Sequence, residues 1–356
     1  MRLRRTLTIT VATLASAMML GGCLAGEDAK SDAGKPSSDA AGATVGTDGT
    51  DGADWSADTL TLDFATYNPL SLIIKDQGWL EAALGDDVQV SWVQSAGSNK
   101  ANEALRAGAV DVGSTAGAAA LLARANGSPI RTIGIYTQPE WAAIVVPADS
   151  DITSVQQLAG RSVAATKGTD PYFFLLQALD ANGVSPDDVE VQNLQHADGR
   201  AALENGSVDA WAGLDPIMAD TEVNAGSRLI YRNIDFNTYG FLNATQDFVT
   251  EHPDLAQLVL DAYEKARAWA LANPDETARI LADVAGIDPA IAQKVIGERT
   301  NIDVDVVPGD AQRAVLERIA PIIVASGDVP SQDVIDTALD ELFDTTFAQA
   351  ADPTRL

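Results

Sequence analysis

From Thr59 onward, short runs of β-branched and apolar residues alternate with stretches in which apolar residues recur every three or four positions. Period-two segments alternating with helical ones predict an α/β fold. The strand candidates are Thr59 to Ala65, Val88 to Val93, Val110 to Gly113, Ile130 to Tyr136, Ala142 to Val146, Ser162 to Ala165, Val189 to Asn193, Val208 to Ala212, Arg228 to Tyr231 and Tyr239 to Asn243. Helical patterns lie between them at Lys100 to Ala107, Ala116 to Asn126, Tyr172 to Asn182 and Asp198 to Asn205. After Asn243 the strands stop, and helices follow at His252 to Ala272, Asp275 to Val284, Pro289 to Glu298, Ala311 to Ala325 and Gln332 to Phe343. Pro253, Pro274, Pro289, Pro308 and Pro330 mark their starts.

One pattern recurs. Ala104 to Gly113 and Ala202 to Trp211 each read as a helix end, a glycine, then Val-Asp leading into a strand. The repeat fits one αβ connection in each of two similar lobes, although common αβ junctions also produce such likeness by chance. Two lobes would leave a cleft between them, a usual place for a small ligand.

The first residues do not belong to this pattern. Arg2, Arg4 and Arg5 precede the apolar run Leu7 to Leu20, 14 residues that are too few for a spanning helix and fit a secretory signal. The closing Leu20-Gly21-Gly22-Cys23 resembles the lipobox of bacterial lipoproteins, in which cleavage leaves an acylated cysteine at the new N-terminus. This implies a signal peptide over 1–22, lipidation at Cys23, and a mature protein on the extracytoplasmic face of the cell membrane. An ordinary signal peptide with an incidental cysteine is the alternative. Residues 23–57 are rich in Gly, Ala, Ser, Asp and Thr and predict a flexible linker. Such a chain spans roughly 30 Å end to end. Its aspartates lack the closing glutamate of a calcium loop.

The formal net charge is −28, and losing the three arginines of the signal takes it to −31. A body so acidic is repelled by nucleic-acid phosphates and anionic lipid, which argues against nucleic-acid binding and polybasic membrane docking. Cys23 is the only cysteine, so there is no disulfide framework. Gly-x-Ser-x-Gly, His-Glu-x-x-His, Walker and dinucleotide-binding motifs are all missing. The two histidines, His196 and His252, read as a rim or capping residue and a solvated residue at a helix start. Neither a metal site, a cofactor nor an enzyme is expected.

Several segments together carry a family likeness: "VQSAGSNKANEAL" at Val93 to Leu105, "VGSTAGAAALLARANGSPI" at Val112 to Ile130, "QPEWAAIVV" at Gln138 to Val146, "VAATKGTDPYFFLLQAL" at Val163 to Leu179 and "VDAWAGLDPIMA" at Val208 to Ala219. They resemble the substrate-binding proteins of ABC importers for aliphatic sulfonates, taurine and nitrate, NMT1-like proteins of the type II periplasmic binding protein class. The likeness covers nearly all of Thr59 to Phe343. It implies two α/β lobes with two hinge crossings and a helical C-terminal region, with a small organic anion or zwitterion in the cleft. The partner it implies is the ABC permease in the membrane, and the receptor would work as a monomer. The expected lobes are 58–146 plus 244–356, and 147–243, with crossings near Val145 to Pro147 and Asn237 to Asn243. Nitrate and thiamine-precursor pyrimidine receptors share this fold, as do desulfinase-like enzymes.

The residues make physical sense of anion binding. Thr169-Asp170-Pro171 precedes a strong helix whose free first-turn amides and dipole favour an anion. Ser95-Ala96-Gly97-Ser98 and Ser114-Thr115-Ala116-Gly117 each follow a strand candidate and open a helix, where α/β sheets bind ligands. Each could equally be a capped helix and nothing more. Tyr67, Trp141, Tyr172 and Trp211 offer an apolar wall, with core packing the alternative for each. Tyr67-Asn68-Pro69 should put Tyr67 and Asn68 on the rim. Gln138, Lys167 and Gly168 complete the candidate set, Lys167 as the one nearby cation. Asp170 stands where family members often carry serine, and it would cap its own helix in competition with a ligand. Asp215 either faces the cleft or caps the helix after Pro216, and with Glu140 it would repel an anion, which a zwitterion would relieve.

Overall fold

The computed structural model describes residues 55–356. The signal peptide over 1–22, Cys23 and most of the linker therefore lie outside the described residues. The expected linker ends early: Trp55 packs on the core, and the Ser56 amide donates to Asp254 Oδ2 at 2.9 Å.

The chain begins β1 (Thr59–Phe64), α1 (Pro69–Gln77), α2 (Trp79–Leu84), β2 (Gln89–Gln94), α3 (Ser98–Arg106), β3 (Val112–Ala116), α4 (Gly117–Ala125) and β4 (Ile130–Thr137). It continues with β5 (Ala142–Val146), β6 (Ser162–Ala165), α5 (Asp170–Ala181), β7 (Glu190–Asn193), α6 (His196–Glu204), β8 (Ala210–Leu214), α7 (Ile217–Asn224) and β9 (Arg228–Tyr231). It ends with β10 (Gly240–Thr245), α8 (Gln246–Glu251), α9 (Pro253–Ala272), α10 (Pro274–Ala285), α11 (Pro289–Glu298), α12 (Asp310–Ala325), α13 (Gln332–Asp340) and α14 (Thr346–Gln349).

Two five-stranded sheets result, ordered β2-β1-β3-β10-β4 and β7-β6-β8-β5-β9. Each holds three parallel strands with a fourth inserted antiparallel beside the third. The inserted strand is the one that has just crossed from the other lobe: β5 enters the second sheet and β10 returns to the first. The two-lobed α/β class is therefore as expected; the first crossing comes before Ala142–Val146 rather than after it, and the second overlaps the expected Asn237 to Asn243 but starts earlier. The chain passes between sheets at 138–141 and 232–239. Ala142–Val146 lies in the second lobe and Gly240–Asn243 in the first. The error has a physical cause. β4 and β5 are both almost wholly buried and only four residues apart, so their sequences read as neighbours in one sheet.

Burial shapes the helices. α5 is buried along Asp170–Leu179, as expected of a helix covered on all sides. α9 buries Leu255, Val259, Leu260 and Tyr263 against the first lobe, and Thr132 in β4 bonds to the chain at Leu342 and Asp344. α12 packs on both α4 and α5, and α11 packs on α7, so the C-terminal helices touch both lobes. Among the described residues no helix is long and apolar enough to cross a membrane.

Candidate ligand-binding cleft

The two crossings and the starts of α3, α4 and α5 converge on one place. Tyr67 and Trp141 meet there edge to face, ring centroids 6.0 Å apart. On one side of the pair lies a narrow gap of about 10 Å³ lined by Tyr67, Ser98, Trp141, Thr169, Asp170, Pro171 and Leu214. That is room for about one water molecule, so a ligand of several atoms enters only when the lobes part. On the other side an equally narrow space of about 10 Å³ adjoins Thr66, Pro139, Leu281, Val295, Asp215 and Arg299.

Hydroxyl protons decide what the gap offers. Ser98 Oγ accepts the Ala116 amide at 2.9 Å, so its own proton remains available to donate. Thr169 Oγ1 gives its proton to the Thr166 carbonyl at 2.6 Å and can only accept. What α5 presents to an anion is thus the Asp170 amide, since Pro171 has no N–H and the Tyr172 and Phe173 amides donate to the Thr169 carbonyl. Ser114 and Thr115 do not reach the gap. Both lie inside β3, which runs to Ala116 rather than ending at Gly113, paired with β10. Ser114 Oγ donates to Asp63 at 3.0 Å, while Thr115 Oγ1 donates to the Ala116 carbonyl and accepts from Asn243 Nδ2. Ser95 also lies near enough to Asp63 to lower its carboxyl. Pairing of distant strands put these hydroxyls in the interior, and nothing local in the sequence reveals it.

Asp63 is a buried residue that sequence reasoning missed. Burial pushes its carboxyl up to about 7, against the Ser95 and Ser114 hydrogen bonds that lower it. Tyr67 donates its hydroxyl to the Ser114 carbonyl at 3.0 Å, and burial raises that phenol well above its usual range. Asn68 is a structural cap: Oδ1 accepts the Ser71 amide at 3.3 Å and Nδ2 donates to Tyr263.

Asp170 does not cap its own helix, because Thr169 occupies the N-cap position and Asp170 begins the helix. Its carboxylate turns to the crossings, accepting from Trp141 Nε1 at 2.8 Å, the Thr238 amide at 2.9 Å and Thr238 Oγ1 at 2.5 Å. Burial raises it to about 6 and those donors oppose the rise. Thr238 Oγ1 in turn accepts the Ala118 amide at the start of α4. Gly117 permits this closeness, since a Cβ there would sit 2.4 Å from the Thr238 carbonyl.

Asp215 does two jobs. Its Oδ1 accepts the Ala219 amide at 2.9 Å, and both oxygens face Arg299 Nη1 at 3.1 and 3.3 Å. Arg299 also pairs with Glu222. The arginine follows α11, Asp215 precedes α7 and Glu222 lies within it, so the ion pairs join the two lobes. Burial lifts Asp215 to about 6, opposed by Arg299. Glu140 is neutralised by a two-pronged contact with Arg232. Arg299 was legible only as a charge.

The remaining candidates scatter. Lys167 is exposed and sits 5.6 Å over the Tyr172 ring, so it supplies no charge to the gap. Tyr172 is pushed up to about 12 by burial and Asp328, with nearby Ser326 opposing the rise. Gln138 lies on the first crossing with its amide on the Asn301 carbonyl. Trp211 is fully buried in the second lobe beneath α6. Gly97 and Gly168 both lie where the lobes meet: a Cβ on Gly97 would meet His196, and one on Gly168 would meet Asn99. His196 is itself buried in this seam. Among the described residues no cluster could hold a metal ion.

Two lobes with neutral donors facing a small gap define the class of two-lobed solute-binding folds. The NMT1/THI5 like family model matches residues 72–277, and the chain belongs to that family. It is 29% identical over 232 residues to the Escherichia coli (strain K12) protein named "Putative aliphatic sulfonates-binding protein", covering 65% of this chain and 72% of that one. A Bacillus subtilis (strain 168) protein of the same name is 29% identical over 229 residues, 63% of this chain and 69% of that one. The crystal structure of the periplasmic aliphatic sulphonate binding protein SsuA from Escherichia coli matches with a TM-score of 0.70 at 26% identity, over 82% of this chain and 93% of that chain. These relatives are named as binding proteins and not as enzymes.

Proposed function

We propose that the chain is the solute-binding component of an ABC importer and takes a small aliphatic sulfonate or taurine-like ligand into the gap between its lobes. One observation carries this reading: Ser98, whose hydroxyl proton is free to donate, and Asp170 at the start of α5, whose amide has no helical acceptor, line one small space walled by Tyr67 and Trp141. Neutral donors hold an anion without a buried counter-charge, so desolvation stays modest and release remains feasible. The names of the relatives agree with a sulfonate. The lobes close about the crossings at 138–141 and 232–239, and ligand bridging both favours the closed form. Exported and tethered through lipidated Cys23, the protein hands its ligand to membrane permease subunits as a monomer.

Calorimetry of the purified protein with ethanesulfonate, nitrate and a thiamine-precursor pyrimidine tests the ligand class. Binding of the sulfonate alone supports the reading, and binding of only one of the others overturns it. Cys23→Ser should release the protein from the membrane fraction if the anchor is real.

A further inference from the structure

His196 begins α6 in the second lobe and is 1% exposed, yet it faces Gly97 at the start of α3 in the first. Its tautomer follows from its neighbours. Thr166 Oγ1 spends its single proton on the Leu194 carbonyl at 2.6 Å, so at 3.2 Å from His196 Nδ1 it can only accept. The ring proton is therefore on Nδ1, and Nε2 carries a lone pair. Nε2 is buried and has no hydrogen-bond partner, and neither has Asn99 Oδ1. A Cβ on Gly97 would lie 3.0 Å from His196 Nε2 and 2.9 Å from Asn99 Oδ1, so both acceptors press on the Gly97 backbone, in a seam too tight for a methyl group, and become reachable when the lobes part. This corner adjoins the gap through Ser98 beside Gly97, and through Thr169, whose hydroxyl bonds to Thr166. Two buried acceptors without a donor are costly to leave unmade.

We propose that His196, with Asn99, determines specificity by accepting a hydrogen bond from an N–H or O–H group that the ligand carries beyond its anionic head. The ligand class is then an amino- or hydroxy-substituted alkylsulfonate rather than a plain one. This rests on the sulfonate reading above and adds which member of that class the cleft prefers. The corner works only while His196 is neutral, because a protonated Nε2 becomes a donor. Burial alone lowers the ring to about 4. The charged groups on surrounding elements are engaged elsewhere: Lys100 with Glu103 on α3, Arg200 with Glu204 and Asp220 on α6 and α7, Arg161 with Asp209 beside β6 and β8, and Lys167 over Tyr172. Asp198 on α6 is exposed.

The test is calorimetry with ethanesulfonate, 2-hydroxyethanesulfonate and 2-aminoethanesulfonate at neutral pH. The two donor-bearing ligands should bind about tenfold tighter than ethanesulfonate. His196→Phe should remove that preference while ethanesulfonate affinity stays within about twofold. His196→Gln, which can still accept at Oε1, should restore it. In the wild type the preference should fade as pH drops from 7 toward 4, which a purely structural histidine would not cause. Asn99→Ala separates the sources of the donor: an equal loss for all three ligands means that the Asn99 amide, turned over, serves His196, and overturns the proposal. Equal binding of all three ligands by the wild type also overturns it alone. Failure of all three to bind overturns the sulfonate reading and this inference together.

Discussion

The two sides of the Tyr67–Trp141 pair are built from opposite materials. On the Asp215 side, Arg299 from the first lobe is buried between Asp215 and Glu222 of the second, with side-chain exposures of 2%, 3% and 20%. On the Ser98 side no charged group is offered to a ligand, because Asp170 is consumed by Trp141 and Thr238. The charges of this cleft thus hold the protein to itself, while its neutral hydroxyl and amide donors are left for the ligand. Full charges buried without their partners are costly, so they suit a permanent or closing contact. Neutral donors cost less to desolvate, so they suit a site that must also let go.

The largest break in that contrast comes from Arg299→Leu, which leaves two carboxylates unpaired. It should lower the unfolding free energy by about 3 to 5 kcal/mol, seen in urea titration. An unchanged midpoint would mean that the ion pairs do not hold the lobes. Next comes Ser98→Ala on the neutral side. Ligand affinity should fall about tenfold, with a stability loss of about 1 to 3 kcal/mol because the Ala116 amide loses its acceptor. Undiminished affinity would remove Ser98 from the site.

A third prediction concerns pH. Asp63, Asp170 and Asp215 have folded values raised to about 7, 6 and 6 from 3.8. Between pH 4 and 7 the folded state therefore binds more protons than the unfolded, and stability should fall as pH rises through that window. His196, lowered to about 4, acts in the opposite sense below its ordinary 6.5. Asp63→Asn should flatten the fall in unfolding free energy from pH 5 to pH 8 by an amount on the order of 1 kcal/mol. A slope identical to that of the wild type would show that Asp63 ionises freely. The smallest effect separates the two sides by salt. Ligand affinity resting on neutral donors should change less than about twofold between 0.05 and 0.5 M salt. A steep decline would place a full cation at the ligand.

Much of the fold was legible locally. The αβ alternation, the helical C-terminal region and the start of α5 at Thr169-Asp170-Pro171 all depend on residues within a few positions of one another. The site was legible in part. Ser98, Thr169, Tyr67 and Trp141 do come together around one gap, whereas Thr115 and Ser114 turn into the sheet and Trp211 into the second core. Arg299 and Asp63 gave no local signal, since each matters through a partner tens of residues away. Asp215 lies 84 positions before Arg299, and Ser114 lies 51 after Asp63.

By itself, then, the sequence determined the α/β class, the order of elements, and the helix start that lines the gap, because periodicity and proline placement are properties of short segments. Only the tertiary structure decided which sheet β5 and β10 join, which hydroxyls keep a proton for a ligand, and which carboxylates are already paired. Those depend on strand order and on the packing of one lobe against the other, where a donor or a charge is used up by whatever the fold brings within about 3 Å of it.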